Sequence, residues 1–405
     1  MTNQIFIRNM NERRVLTLLR KEGKLSRAEI ARRLSLTRSG VTYLIDALLA
    51  LNLVTEATTS PTTATSRELG RPGVALVLNS MGHYFLGVEI GVAVVRLALV
   101  DMALKVVRTE TINLPYPPDP QTAIGLIRTF LDDCEKDKCY RERIRAIGVT
   151  VPGLVRSDGF VLHLPILGWR NVNFLAQAEQ AFDIPLSIEN NANAAAFGEV
   201  YCNPKQSHDL VLFLKLGNGC GGAAIINGQL LRGTSGVATE FGHMRVSDHG
   251  PLCHCGQTGC LETHVNLAAL ARYLNESNAK ISCDPMVVAS AHATGDPAVK
   301  DAVQKLQTHL VSGMVSLTNI FNPSDIVLGG SLRPILERCL NGLRKSVAEG
   351  IVPGMQQPNI NLSSVSQFEC AVGAAAIAHH EQFDTTALSL TGAGTWPATA
   401  AMAQS

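Results

Sequence analysis

Glu240-Phe-Gly-His243 and, ten residues further on, Cys253-His-Cys255-Gly-Gln-Thr-Gly-Cys260-Leu-Glu262 gather the residue types that hold a zinc ion. Zn²⁺ favours thiolate and imidazole donors in a tetrahedral set, and His243, Cys253, Cys255 and Cys260 make a three-Cys, one-His complement. Gly256 and Gly259 let the backbone turn sharply enough for three sulfurs to converge. Four protein ligands leave no open position for water, so the expected role is structural. His254 and His249 are competing imidazoles. His254 lies between two Cys ligands, where its ring is expected to point away, so His243 is preferred. Ordinary thiols are the plain alternative. However, the other seven of the ten cysteines are scattered singly, and three within eight residues behind a Gly-His pair have ligand spacing. Glu240 and Glu262 flank the set and are placed to share a polar pocket that the metal would hold rigid.

On these motifs the chain resembles the ROK family, which groups bacterial sugar kinases with sugar-responsive repressors. The likeness runs from about Gly82 to about Ala378. It implies an α/β protein with the two-lobed actin-like ATPase fold, a sugar held between the lobes, and structural zinc on His243, Cys253, Cys255 and Cys260. It further implies a sugar pocket lined by Gly153, Asn190, Asn191, Glu240, His243 and Glu262. Carboxylates and amides suit a polyol, since a missing hydroxyl would leave a buried polar group unpaired. Asn190 also stands where it can cap a helix over 191–200; Glu189 reads as structural.

A sugar kinase needs amides and a metal for ATP phosphates and a base for the sugar hydroxyl. The family's first phosphate loop reads roughly Asp-x-Gly-Gly-Thr-Lys. Here the segment is Glu89-Ile-Gly91-Val92-Ala93-Val94, with a β-branched Val92 where backbone should approach phosphate. The family kinases carry Asn-Asp-Ala-Asn with the Asp as base, whereas this chain has Asn190-Asn191-Ala192-Asn193. An amide hydrogen-bonds but takes no proton near neutral pH. No catalytic residue is therefore assigned. Leu216-Gly217-Asn218-Gly219-Cys220-Gly221-Gly222 and Ile326-Val-Leu-Gly329-Gly330-Ser331 resemble the second phosphate and adenosine loops. They read as strand-end turns retained for packing, with residual nucleotide binding the alternative.

The elements that would carry these residues are strands over 84–90, 94–100, 105–112, 144–149, 185–188, 210–216, 222–226 and 325–328, with helices over 121–136 and 191–200. Mixed strands and helices indicate an α/β domain. The first eighty residues read differently. A helix over 9–21 buries Val15, Leu16, Leu18 and Leu19, and Gly23 closes it. Ser26-Arg-Ala-Glu29 is a capping box opening a helix over 27–34. After Ser35-Leu36, Thr37 caps a third helix over 38–51 with Val41, Leu44, Ile45 and Leu48 inward. This is a helix-turn-helix, whose second helix would present Arg38, Ser39, Gly40, Thr42 and Tyr43 to the major groove. Arg27, Arg32 and Arg33 suit phosphates. Strands over 53–56 and 74–78 flank a Thr/Ser-rich wing, and Arg71 at its Gly-Arg-Pro tip could enter a minor groove.

Charge supports this division. Residues 1–80 hold twelve basic and six acidic side chains, while the whole 405-residue chain has a net charge of +1. A basic module on a slightly acidic body points to a polyanion. No apolar run is long enough for a membrane span, and Met1-Thr-Asn-Gln opens no secretion signal. With reduced thiols, the expected location is the cytoplasm. The expected layout is a winged helix-turn-helix over 1–80, a two-lobed sugar-binding domain over 81–383 and a disordered tail over 384–405. The expected partners are a double-stranded operator DNA, a sugar effector, and copies of the chain in a homodimer or homotetramer. The function expected is a sugar-controlled transcriptional regulator, read as a repressor from the resemblance alone. The competing reading is an active sugar kinase with an added DNA-binding domain.

Overall fold

The computed structural model describes residues 2–57, 74–136, 140, 143–156, 158–203, 209–365 and 367–383. The wing tip with Arg71 and the tail over 384–405 lie outside these residues.

The N-terminal module is built as its sequence dictates. Helix α1 (Thr2–Glu22) is longer than its apolar stripe predicts, because nothing before Asn9 breaks it, although Phe6 and Ile7 stay exposed. Strand β1 (Leu25–Ser26) leads into α2 (Arg27–Leu34). At that start the Ser26 side chain accepts from the Glu29 amide, and the Glu29 carboxylate accepts from the Ser26 amide at 2.7 Å. Ser35 takes a left-handed conformation to end the helix. Thr37 then caps α3 (Arg38–Ala50), its Oγ1 accepting from the Gly40 amide at 3.1 Å. Val41, Leu44, Ile45 and Leu48 are buried against Val15, Leu16, Leu19 and Ile30. Each such side chain contributes about 1.5–3 kcal/mol on burial, which makes the three helices one body. Strands β2 (Val54–Glu56) and β3 (Ala75–Leu78) complete a small antiparallel sheet in the order β1-β3-β2.

The larger domain has two sheets. The first contains β4 (Tyr84–Ile90), β5 (Val94–Asp101), β6 (Val106–Asn113), β7 (Ile144–Val151) and, after the intervening elements, β11 (Leu186–Asn190), in the order β11-β7-β4-β5-β6. Helix α4 (Pro120–Lys136) covers one face. The small sheet β8 (Leu154–Val155), β9 (Val161–Leu164) and β10 (Trp169–Val172), then α5 (Phe174–Glu179), fill the connection before β11, and α6 (Asn191–Tyr201) follows it. The second sheet runs β14-β13-β12-β15-β16. Its strands are β12 (Leu210–Leu216), β13 (Cys220–Ile226), β14 (Gln229–Leu230), β15 (Asp325–Gly329) and β16 (Asn359–Leu362). Helices α7 (Leu267–Glu276), α8 (Pro285–Thr294), α9 (Pro297–Phe321) and α10 (Arg333–Gly350) pack around it.

The last described helix, α11 (Glu369–Phe383), crosses back to the first sheet. Its residues are buried almost all round, because it lies between β4 and β7 on one side and α6 on the other. A Cβ on Gly87 would stand 1.8 Å from the Ala371 carbonyl oxygen, and one on Gly148 2.0 Å from that of Ala374. Only glycine permits this approach of helix to strand. No described helix is long and apolar enough to cross a membrane.

Candidate sugar cleft, metal centre and DNA-facing helix

A cleft of about 1710 Å³ opens between the two sheets' lobes, and Gly153, Asn190, Asn191, Glu240, His243 and Glu262 all line it. Six residues spread over more than a hundred positions of sequence thus meet in one place. Asn190 ends β11 and caps α6: its Oδ1 accepts from the amides of Ala192 at 2.8 Å and Asn193 at 3.2 Å. Its Nδ2 donates to the Gly153 carbonyl at 2.9 Å, so capping and pocket shape use the same side chain. Asn191, the first residue of α6, makes no side-chain hydrogen bond to the described residues and faces the cleft. Glu189 is buried at 5% exposure, with Arg232 at 2.5 Å and the Asn193 amide group at 3.0 Å, which makes it structural as expected.

The four metal-ligand candidates converge, with their donor atoms all within 4.8 Å of one another. Cys253 Sγ lies 3.5 Å from His243 Nδ1, and Cys255 Sγ lies 3.6 Å from Cys260 Sγ. Tetrahedral zinc with ordinary bond lengths spaces its ligand atoms about 3.5–3.8 Å apart, so this donor set fits the ion in chemistry and in size. His254 also lines the cleft and is not among the converging donors. Gly256 and Gly259 adopt φ of +86° and +79°, and isolated bridges Arg245–Cys260 and Leu252–Thr258 pin the loop.

The metal-ligand set and the cleft share a side chain. His243 turns Nδ1 toward the sulfurs and holds Nε2 3.8 Å from Glu240 Oε2. Burial raises the Glu240 carboxyl above the usual range; His243 opposes the shift and Glu262 adds to it. Glu262 likewise bridges the two regions: Oε1 is 3.8 Å from Cys253 Sγ, and Oε2 accepts from the Cys220 amide at 3.0 Å. Two carboxylates and an imidazole therefore face one cavity from a loop that the four-ligand set would fix.

The other half of the cleft carries a cluster that the sequence reading missed. Glu89, 5% exposed at the end of β4, lies 3.2 Å from Arg96 Nη1 and 3.7 Å from Lys215 Nζ. Arg96 faces Glu89 across the β4–β5 pair, and Lys215 is the one charged residue of β12. A lone lysine in an otherwise apolar strand was the available signal. Glu369 joins them from α11, its carboxyl pushed up to about 7 by burial, with Lys215 opposing and Glu89 adding. Gly91, Val92, Gly217, Gly219, Gly330 and Ser331 line this half, as do Arg333 and Arg338.

On the N-terminal module, Arg38, Ser39, Thr42 and Tyr43 are exposed along one face of α3, with Gly40 half-buried beside them. Thr42 Oγ1 donates to the Arg38 carbonyl at 3.0 Å, leaving its lone pairs and methyl outward. Tyr43 is 61% exposed, and its hydroxyl receives a bond from Arg8 at 3.1 Å. Arg27 stands 3.4 Å from Asp46 and 3.8 Å from Glu56, so it braces α2 against α3 and the wing as well as offering charge.

Comparison with known proteins gives this arrangement its context. The sequence profile of the ROK family matches residues 85–381, and that of the MarR family matches residues 9–64. A relative called xylose repressor, from Bacillus spizizenii, is 28% identical over 354 residues, covering 87% of this chain and 90% of that protein. A glucokinase from Streptomyces coelicolor is 30% identical over 290 residues, 67% of this chain and 90% of that protein. The crystal structure of a ROK family transcriptional regulator, a homolog of the E. coli MLC protein, superposes with a TM-score of 0.78. That match covers 95% of this chain and 98% of the other at 24% identity, and so bears on the fold. Most of the chain, including the cleft and the metal-ligand loop, lies within the first profile: the protein belongs to the ROK family and carries a MarR-type helix-turn-helix at its N-terminal end.

Proposed function

We propose that this chain is a sugar-responsive transcriptional repressor: a DNA-binding regulator whose hold on an operator is controlled by a sugar in the cleft. The observation that carries the reading is the union, in one chain, of an exposed polar face on α3 with a cleft that gathers Gly153, Asn190, Asn191, Glu240, His243 and Glu262. The sequence relative called a xylose repressor supports it. Sugar hydroxyls would donate to Glu240 and Glu262 and exchange hydrogen bonds with Asn191 and His243. A zinc ion on His243, Cys253, Cys255 and Cys260 would hold those groups in place. DNA contacts fall to Arg38, Ser39, Gly40, Thr42 and Tyr43 for bases, and to Arg27 and Arg71 for the backbone and minor groove. A palindromic operator would be met by a homodimer or homotetramer. The site of action is the cytoplasm, where bacterial DNA lies.

The same cleft supports a receptor over an enzyme. Asn191 stands where the family's kinases carry their base, and loss of such a group typically costs about 10²–10⁴ in rate. Glu89, at the place of the family's phosphate-loop Asp, already has Arg96 and Lys215 as counter-charges. The glucokinase relative keeps the kinase reading testable. The experiment is fluorescence anisotropy of the purified protein on DNA from its own promoter region. It is titrated with D-xylose, D-glucose and N-acetyl-D-glucosamine, with and without ATP. Release by one sugar without ATP is expected. Sugar phosphorylation without DNA binding would overturn the proposal.

A further inference from the structure

Two helices run from the cleft to the DNA-binding module. Helix α6 begins in the cleft at Asn190 and Asn191 and ends at Tyr201, about 16 Å away for eleven residues. Helix α11 begins at Glu369 and Cys370, which also line the cleft, and ends at His379 and Phe383 beside the same module. The helices are pressed together without intervening side chains. A Cβ on Gly198 would stand 2.7 Å from Gly373 Cα, and one on Gly373 would stand 1.9 Å from the Ala194 carbonyl oxygen. Packed backbones of this kind move as one body, since neither helix can slide without collision.

Their far ends meet α1 at a specific joint. Arg20 of α1 donates to the Tyr201 carbonyl at 2.7 Å, and its guanidinium lies 3.9 Å from the centre of the Tyr201 ring. A cation at the C-terminal end of α6 is favoured by the helix dipole as well as by the ring face. The Tyr201 hydroxyl lies 3.1 Å from His379 Nδ1, and His379 Nε2 lies 3.2 Å from the Met102 carbonyl. The carbonyl can only accept, so Nε2 carries a proton, and in the neutral ring Nδ1 accepts from Tyr201. Leu16, Thr17 and Leu78 close around Arg20, Tyr201, His379 and Phe383. Because α1 shares its core with α2 and α3, whatever displaces Arg20 displaces the recognition helix too.

We propose that the α6–α11 pair is the element that transmits cleft occupancy to the DNA-binding module, and that Arg20 on Tyr201, backed by His379, is the coupling joint. Arg20, Tyr201 and His379 lie neither on the cleft lining nor on α3; they are positioning residues. The inference rests on the sugar-responsive reading of the cleft. A sugar that draws the N-terminal end of α6 toward the opposite lobe shifts Tyr201 at its other end. In a dimer this changes the spacing of two recognition helices that must stand about 34–36 Å apart.

The test compares wild type with Arg20→Ala and Tyr201→Phe in the full chain, using promoter-region DNA and the three sugars named above. Calorimetry reports sugar affinity and anisotropy reports DNA affinity. In the wild type the sugar should weaken DNA binding about 5–150-fold, the usual span of allosteric coupling. In Arg20→Ala that factor should fall below about twofold on the same scale while sugar affinity stays as in wild type. Tyr201→Phe, which keeps the ring and loses the hydroxyl, should be intermediate. A full sugar response in both variants overturns the joint. Hydrogen exchange without any ligand gives a second readout. Arg20→Ala should speed exchange not only at Tyr201 but at Ala192 and Asn193 at the cleft end. A change confined to the Tyr201 end refutes transmission along α6. If wild-type DNA binding answers to none of the sugars, the sugar reading falls, and the exchange experiment still decides the joint.

Discussion

Replacing Glu240 by Gln keeps the shape of the side chain and removes its charge. Its carboxylate sits at the 3-10 turn Phe241–His243, 43% exposed, with His243 Nε2 at 3.8 Å. Two adjacent sugar hydroxyls can donate to the two oxygens of a carboxylate, whereas the amide accepts from one hydroxyl and donates to the other, both as neutral bonds. A hydrogen bond to a charged acceptor is worth about 1.5–3 kcal/mol and a neutral one about 0.5–1.5, so two bonds differ by about 2–3 kcal/mol. Partial exposure screens part of that, and the expected cost in sugar affinity is about 10–100-fold. DNA affinity without sugar should not move, because Glu240 lies in the cleft rather than on the recognition helix. Anisotropy titrations should therefore show the half-release sugar concentration shifted by that factor from an unchanged starting plateau. The pH dependence has a definite sign. Burial raises the Glu240 carboxyl, so acidification protonates it earlier than an ordinary Glu and weakens the sugar response, and the Gln variant should lack that slope. A Gln variant with the wild-type sugar curve at neutral pH would refute the assignment of this carboxylate.

Replacing Cys260, a buried member of the converging set, by Ser should lower bound zinc measured by mass spectrometry and reduce the melting temperature. Unchanged metal content and melting would sink the metal centre. Replacing Arg38 by Ala removes an exposed cation at the first position of α3. If Arg38 meets a phosphate, the slope of log affinity against log salt should fall by about 0.9. If it reads a base, specificity should relax by about 1–3 kcal/mol at one position instead, and an unchanged binding isotherm would remove it from the interface. Glu369 holds its proton up to about pH 7 in the folded chain but would release it near its ordinary 4.5 when unfolded. The native state then binds more protons between those values, so stability should fall as pH rises through them. Glu369→Gln should flatten that slope in denaturant titrations at pH 5 and pH 8, and an equal slope in both proteins would contradict the burial of this acid.

The helix-turn-helix was legible because its instructions are local. The Ser26 capping box, the Thr37 cap and the stripe of Val41, Leu44, Ile45 and Leu48 each act within a few residues, and the structure reproduces all three. The convergence of the thiols was legible for a similar reason: Cys253, Cys255 and Cys260 lie within eight residues, with Gly256 and Gly259 supplying the turns. The expectation that Asn191 stands in place of a kinase base rests on side-chain chemistry and a family resemblance.

What the sequence could not decide were the encounters between distant segments. The preference for His243 over His254 comes from spacing and resemblance, and the fold brings the His243 ring near the three thiols although ten residues separate it from Cys253. Asn190 proved to cap α6 and hold Gly153 with one amide, because β11 and the turn after β7 end side by side. Glu89, Arg96, Lys215 and Glu369 meet although they lie on β4, β5, β12 and α11. The backbone contact of α6 with α11, and the seating of Arg20 on Tyr201, likewise join segments far apart in sequence. Periodicity and capping fix how each segment folds and which face it buries. The partner of that face is chosen by packing of the whole chain, where close-packed volume and paired charge decide which distant faces meet.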